Sequence, residues 1–408
     1  MFNEKCRIVT DAAVSIPLEK NEESMKKLKL WLVFFAITAL LCACGPDDEL
    51  QSTDTPDSPN IGTDTDHPAH EPIDGTTPPE NNSDDSVPSK DGMVHSRLTN
   101  EWVKTDVADT RPIAVLIPNE IGAVPHYNLS EASILYEANV ENRMSRLMAI
   151  YEDWDGLGTI GNVRSTRSYF IYWSYEWDAF LVHSGGPYFI DDMISDPTTQ
   201  NINDHVGTDG DAFFRDSSRN MPHNLYATGP GILKVVNNKG YPLKYRGLTD
   251  SYHYRFADKD DQNTLAQYGN DAKSASYIDM SGCYPLTRCY FEYNEGDGLY
   301  YRSQHLSGGT DGPHIDAVTG EQLSFKNILV QYISYEKLND DGYMTFLCHD
   351  NTMDGWYFTN GRGIHITWEK SSDYGATRYY DDYGNEILMN TGKTMICIVL
   401  SDDNFTFR

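Results

Sequence analysis

The sequence lacks the marks of most familiar chemistries. It has no phosphate-cradling P-loop and no G-x-G-x-x-G turn between a strand and a helix, so nothing predicts a nucleotide or any other cofactor. Its seven cysteines never fall at zinc-ligand spacing. Basic residues are scarce: 32 Lys and Arg stand against 61 Asp and Glu, a formal net charge of −29 over 408 residues. Such a surface repels nucleic-acid phosphates and excludes that class of partner. It suits a protein that stays soluble outside the membrane and avoids anionic surfaces. Long apolar runs are also missing, with one exception.

That exception follows Met25. Lys26, Lys27 and Lys29 form a positive region, and Leu30 to Leu41 an apolar one. The run is too short for a membrane span and reads as the core of a signal peptide over 25–43, with 1–24 upstream of the true start. Leu41-Cys42-Ala43-Cys44 is similar to a bacterial lipobox, in which a small residue (Ala43) precedes the cut and Cys44 carries the lipid. The expectation is a protein held on the bacterial cell membrane through lipid on Cys44, facing outside the cytoplasm. Residues 44–95 then read as a disordered tether. Eight prolines with many Ser, Thr and Asp between Gly45 and Gly92 bury no core, and spread acids extend the chain by self-repulsion. His67 and His70 read as solvated there.

The rest divides into an α/β domain over 98–266 and a β-rich, sandwich- or barrel-like domain over 272–408. In the first, strands are expected at Ile113–Ile117, Ile134–Val140, Leu147–Tyr151 and Ala179–Val182. Helices are expected over 166–177, Pro187–Ile194 and Pro230–Asn238. In the second, Asn327–Tyr335, Gly355–Thr359, Ile364–Glu369 and Thr394–Leu400 are among eight strand candidates separated by polar turns.

The densest chemistry lies between Thr159 and Pro187. Arg164 and Arg167 flank Ser165, a plausible N-cap, and His183-Ser184-Gly185-Gly186 ends the following strand. A helix start offers free N–H groups, arginines add charge, and a glycine turn aims further N–H groups. If the strand is parallel to its neighbours, these features meet at the carboxyl edge of one sheet. Arg164, Ser165, Arg167, His183, Ser184, Gly185 and Gly186 are therefore the candidate anion site. Ion pairs with the chain's own acids are the competing reading. Further polar candidates are Glu137 and Glu141, which could orient His183 or balance the arginines; His223 and Asn224; and Arg215 with Asp216, read as an internal ion pair. Asp204, His205, Asp209 and Asp211 match no metal-loop signature, and no metal site is assigned. Cys283, Cys289, Cys348 and Cys397 read either as buried thiols or as one or two bridges.

Val163-Arg164-Ser165-Thr166-Arg167, Val182-His183-Ser184-Gly185-Gly186, Phe214-Arg215-Asp216 and Pro222-His223-Asn224-Leu225-Tyr226 together resemble the YerB-type lipoproteins. So do Arg111-Pro112-Ile113-Ala114-Val115, Ile366-Thr367-Trp368-Glu369-Lys370 and Asn390-Thr391-Gly392-Lys393-Thr394. Asn162 and Pro118 depart from that pattern, where proline and Asp or Asn are usual. The resemblance implies a two-part envelope lipoprotein and supplies no catalytic residue. Three functions stay open. One is a binding or accessory module for an anionic envelope polymer or lipid-linked precursor. Another is an envelope hydrolase or transferase using His183 or His223. The last is a scaffold that docks a protein partner of unknown identity.

Overall fold

The computed structural model describes residues 91–408, apart from 250–252, 307 and 351–352. Cys44, the lipobox and the signal peptide lie outside the described residues. The last residues of the expected tether are part of a strand pair: Met93–His95 pairs antiparallel with Trp102–Lys104.

The first segment supplies five strands of one large sheet: β1 (Ile113–Pro118), β2 (Ile134–Asn139), β3 (Ser145–Tyr151), β4 (Phe180–His183) and β5 (Asn201–Asn203). None of them shows the usual alternation of buried and exposed positions: each strand is buried along its whole length, as expected of a sheet covered on both faces. β1 pairs antiparallel with β3 and parallel with β4, and β4 runs parallel to β5. The two longest helices of this segment are α1 (Ser168–Tyr175) and α2 (Gly229–Asn238). Thr228 caps α2 by accepting from Gly231 N at 3.1 Å, and Gly240 follows its end at φ +65°, the C-terminal stop glycine provides without a Cβ clash. The expected cap on α1 is not made. Arg167, not Ser165, occupies the N-cap position, and it makes no side-chain cap bond.

The second segment is β-rich and does two things. Part of it extends the same sheet through β6 (Lys273–Ser274), β7 (Asn327–Ile333), β8 (Met353–Thr359), β9 (Arg362–Glu369), β10 (Arg378–Asp381) and β11 (Thr394–Leu400). The sheet runs β6-β9-β8-β7-β11-β2-β3-β1-β4-β5, with β10 also on β9. The join between segments is the parallel pair β11–β2, in register from Thr394↔Ile134 to Ile398↔Ala138. Six further strands form a second sheet that includes Tyr277–Asp279, Tyr290–Asn294 and Leu299–His305.

Two cores result. One joins β1, β3 and α2 to the six-stranded sheet, through residues such as Val115, Ala149, Ile232, Phe291, Tyr300 and Val330. The other seats the aromatic helix α1 on the opposite face. There Trp173 stacks on Tyr136 at 5.7 Å and Tyr169 on Phe346 at 4.1 Å, offset pairs that add to area burial. Cys283, Cys289, Cys348 and Cys397 are buried free thiols.

Candidate functional site

The carboxyl ends of β1 and β4 hold the residues singled out above. The segment after Val163 runs between them: Arg164 N donates to Leu116 O at 2.8 Å, Ser184 N to Arg164 O at 3.0 Å, and Thr166 N to Gly185 O at 3.0 Å. Arg164, Ser165, Ser184 and Gly185 are thus neighbours at one sheet edge, where open α/β sheets place ligands. Arg164, Ser165 and Ser184 are half-buried.

The other predicted members do not face a guest. Arg167 is buried and forms a bidentate pair with Glu141: Nη2 donates to Oε2 at 2.6 Å and Nε to Oε1. Burial pushes the Glu141 carboxyl up, but the Arg167 hydrogen bonds override it and leave its pKa below the ordinary value. Here the competing reading of an internal ion pair is what the fold contains. His183 is fully buried. Its Nδ1–H donates to Gly185 O at 2.9 Å, and Nε2 lies 3.3 Å from Asn201 Oδ1; burial lowers its pKa to about 4. It is a neutral core residue, not an exposed acid or base. The Gly185 N–H is spent on Asn203 Oδ1 at 2.9 Å. Gly186 packs against Ile190 and Ile194. The glycine turn therefore aims no N–H group outward at Gly185.

Glu137 corrects a further expectation. It orients no histidine at this edge. Its Oε2 accepts from Arg302 Nη2 at 2.7 Å, and its Oε1 accepts from Asn119 Nδ2 at 2.7 Å and Ser145 Oγ at 2.6 Å. Arg215 likewise pairs with Asp204 at 2.7 Å, not with Asp216, and donates to Asn224 Oδ1 at 3.2 Å. Asp216 instead holds its own turn through Ser218 N at 2.8 Å. The acids of the 204–211 loop are also engaged: Asp209 meets Lys239 at 2.6 Å and Asp211 meets Lys234 at 2.9 Å.

The residue missed from the sequence is Arg146, on β3 opposite Pro118. It is 2% exposed. One Nη donates to Ser165 O, and Nε has no hydrogen-bond partner. Burial drives its pKa down to about 9, the charges of Arg167 and Arg164 push the same way, and Glu141 opposes them. No local sequence signal marks it, because an arginine at the start of an apolar strand looks like an edge residue facing water. Arg164 completes the picture. Its Nε is buried without a partner, and among the described residues it forms no ion pair. Arg146 thus feels the charges of both Arg164 and Arg167, and the one nearby acid, Glu141, is committed to Arg167. At the rim, His223 Nε2 lies 3.3 Å from Glu120 Oε1. Burial is the main cause of the lowered His223 pKa; Glu120 opposes it, and Arg164 and Arg219 reinforce it.

Comparisons with known proteins agree with the two-segment layout. Residues 98–242 match the family described as "Protein of unknown function (DUF3048) N-terminal domain", and residues 282–396 match its C-terminal domain. The chain is 27% identical over 292 residues to "Putative lipoprotein YerB" of Bacillus subtilis (strain 168), spanning 70% of this chain and 81% of that protein. The crystal structure of YerB protein from Bacillus subtilis superposes with a TM-score of 0.64 at 25% identity, covering 77% of this chain and 99% of that one.

Proposed function

The chain belongs to the DUF3048 family, and on that premise we propose that it is a lipid-anchored envelope protein that binds an anionic group at the Arg146–Arg164 edge. The observation that carries this reading is an excess of buried positive charge in a strongly acidic chain. Arg146 and Arg164 each leave Nε unpartnered, and the nearby Glu141 is spent on Arg167. A buried cation without a counter-charge is costly, and an anion entering beside it recovers the lost interaction through charge-assisted hydrogen bonds. Ser165 adds a hydroxyl, whereas Ser184 Oγ donates to Asp204 Oδ2 at 3.3 Å and Arg215 pairs with the same carboxylate. The guest is a phosphate or carboxylate borne by an envelope polymer or a lipid-linked precursor. Lipid on Cys44, named for this chain by its lipobox and in keeping with the name of its relative, would hold the site near such molecules, outside the cytoplasm.

The test is titration with pyrophosphate and with a phosphate-bearing polymer at low and high salt. Saturable binding that weakens in Arg164→Ala and Arg146→Met supports the reading. Binding that is absent in the parent removes it.

A second reading is favoured by one contact. His223 sits beside Glu120 and near Arg164, the arrangement a hydrolase or transferase needs for proton transfer next to a developing negative charge. It predicts turnover of a phosphate or ester substrate that disappears in His223→Gln. The same variant leaves anion affinity in place if the protein only binds.

A further inference from the structure

A different chemistry stands at the opposite end of β3 from Arg146. Glu152 follows Tyr151, the last residue of that strand. Seven residues of strand span roughly 20 Å, so Glu152 and Arg146 belong to separate sites. A cleft of about 380 Å³ opens there, lined by Glu101, Glu131, Ser133, Glu152, Asp153 and Lys393 among others.

Glu152 is the anomaly. It is 5% exposed, yet Oε1 is buried with no hydrogen-bond partner. The Ser96 hydroxyl serves the carboxylate, and Ser96 Oγ is itself held in place by Leu98 N and Thr99 N, each at 3.0 Å. Burial raises the Glu152 pKa, and the Ser96 bond only partly offsets it. A buried carboxylate with one idle oxygen lowers stability. Three more acids, Glu101, Glu131 and Asp153, line the same cleft, and its one lysine, Lys393, already donates to Ser130 O. Among the described residues no group of three acids, histidines or cysteines is placed to hold a metal ion. The cleft therefore suits an organic cation. A guanidinium needs both oxygens of one carboxylate for its planar fork. An ammonium carries three separately aimed donors and fits single acceptors on several residues.

We propose that this cleft binds a primary ammonium group, with the buried Glu152 carboxylate as its principal negative partner and Glu101, Glu131 and Asp153 as the surrounding negative charges. The carrier is an amino sugar or an amino-bearing side chain, which share that chemistry.

The folded chain is titrated by calorimetry with glucosamine, with Nα-acetyl-lysine amide, with uncharged N-acetylglucosamine and with calcium chloride. Saturable binding of at least one amine is expected, with none of N-acetylglucosamine. Glu152→Gln should weaken amine binding by about tenfold or more, the loss of one charge-assisted bond, while its Tm stays equal or rises. Glu131→Gln, an exposed change, should weaken binding severalfold, and the remote exposed change Glu295→Gln should leave it unaltered. The two amines distinguish the carriers. The proposal is overturned if no amine saturates, if N-acetylglucosamine binds as well as glucosamine, if calcium alone binds, or if Glu152→Gln either keeps full affinity or unfolds the protein.

Discussion

Replacing Arg302 with Met tests how the two family segments are locked together. Glu137 lies on β2 and Arg302 within Leu299–His305 of the smaller sheet; both side chains are fully buried, and their atoms meet at 2.7 Å. The contact continues as a directional chain. Arg302 Nη1 donates to His314 Nδ1, His314 Nε2–H to His126 Nδ1 at 2.8 Å, and His126 Nε2–H to Pro118 O at 2.8 Å. The carbonyl at the far end only accepts and the guanidinium at the near end only donates, so both neutral histidines have one allowed tautomer. Arg302→Met keeps the apolar stem but strands the Glu137 charge and removes the donor to His314. Breaking one side of a buried pair costs about 3–5 kcal/mol. Unfolding entropy of about 2.1 cal/mol/K per residue gives about 0.7 kcal/mol/K for a unit of roughly 330 residues, so the Tm should fall by about 4–7 °C. Glu137→Gln should cost a similar amount, and the double variant clearly less than the sum, because no lone charge remains. Calorimetry of the four proteins decides. Single variants within about 1 °C of the parent, or strictly additive losses, would refute the lock.

Other outcomes follow from the same geometry. Burial lowers His126, His183 and His253 to about 4 and His314 well below its ordinary value. Folded pKa values below the unfolded value of about 6.5 mean stability that is complete above pH 6.5 and is lost as pH falls toward 4, at up to about 1.4 kcal/mol per pH unit for each histidine. Tm should therefore drop between pH 7 and pH 5, even though acid also relieves the −29 charge; a flat or rising Tm would contradict this. Gly185 has φ +66°, and a Cβ there would lie 2.5 Å from His205 Cε1. Gly185→Ala should cost about 1–3 kcal/mol in denaturant unfolding, with only partial recovery on adding His205→Ala, since the backbone strain remains. Arg146→Met should weaken anion binding without lowering Tm, because it deletes a buried charge that lacks its own carboxylate.

Much of the scaffold is readable from local pattern. Ile113–Pro118, Asn327–Ile333 and Thr394–Leu400 announce themselves as apolar or β-branched runs, and α2 by Pro230 and Gly240 at its ends. What local pattern does not carry is pairing across the chain. Nothing in residues 394–400 says that they lie beside 134–138, so the shared sheet is invisible until the fold is seen. The arginine edge was legible in the same limited sense. Arg164 and Ser184 do meet, through backbone pairing at the end of parallel strands. Which arginine is consumed depends on Glu141, 26 positions before Arg167 in the fold's own pairing. Arg146 carries no mark in the sequence because burial, not neighbouring residues, makes it unusual. Glu152 is the same: one glutamate among many acids becomes distinctive only when its oxygen is enclosed.

The most direct measurement is a pyrophosphate titration of the parent and Arg164→Ala at low ionic strength, where surface charge is least screened. The account predicts saturable binding by the parent and a loss of about tenfold or more in the variant, with an unchanged melting curve. Superimposable isotherms for the two proteins would contradict it.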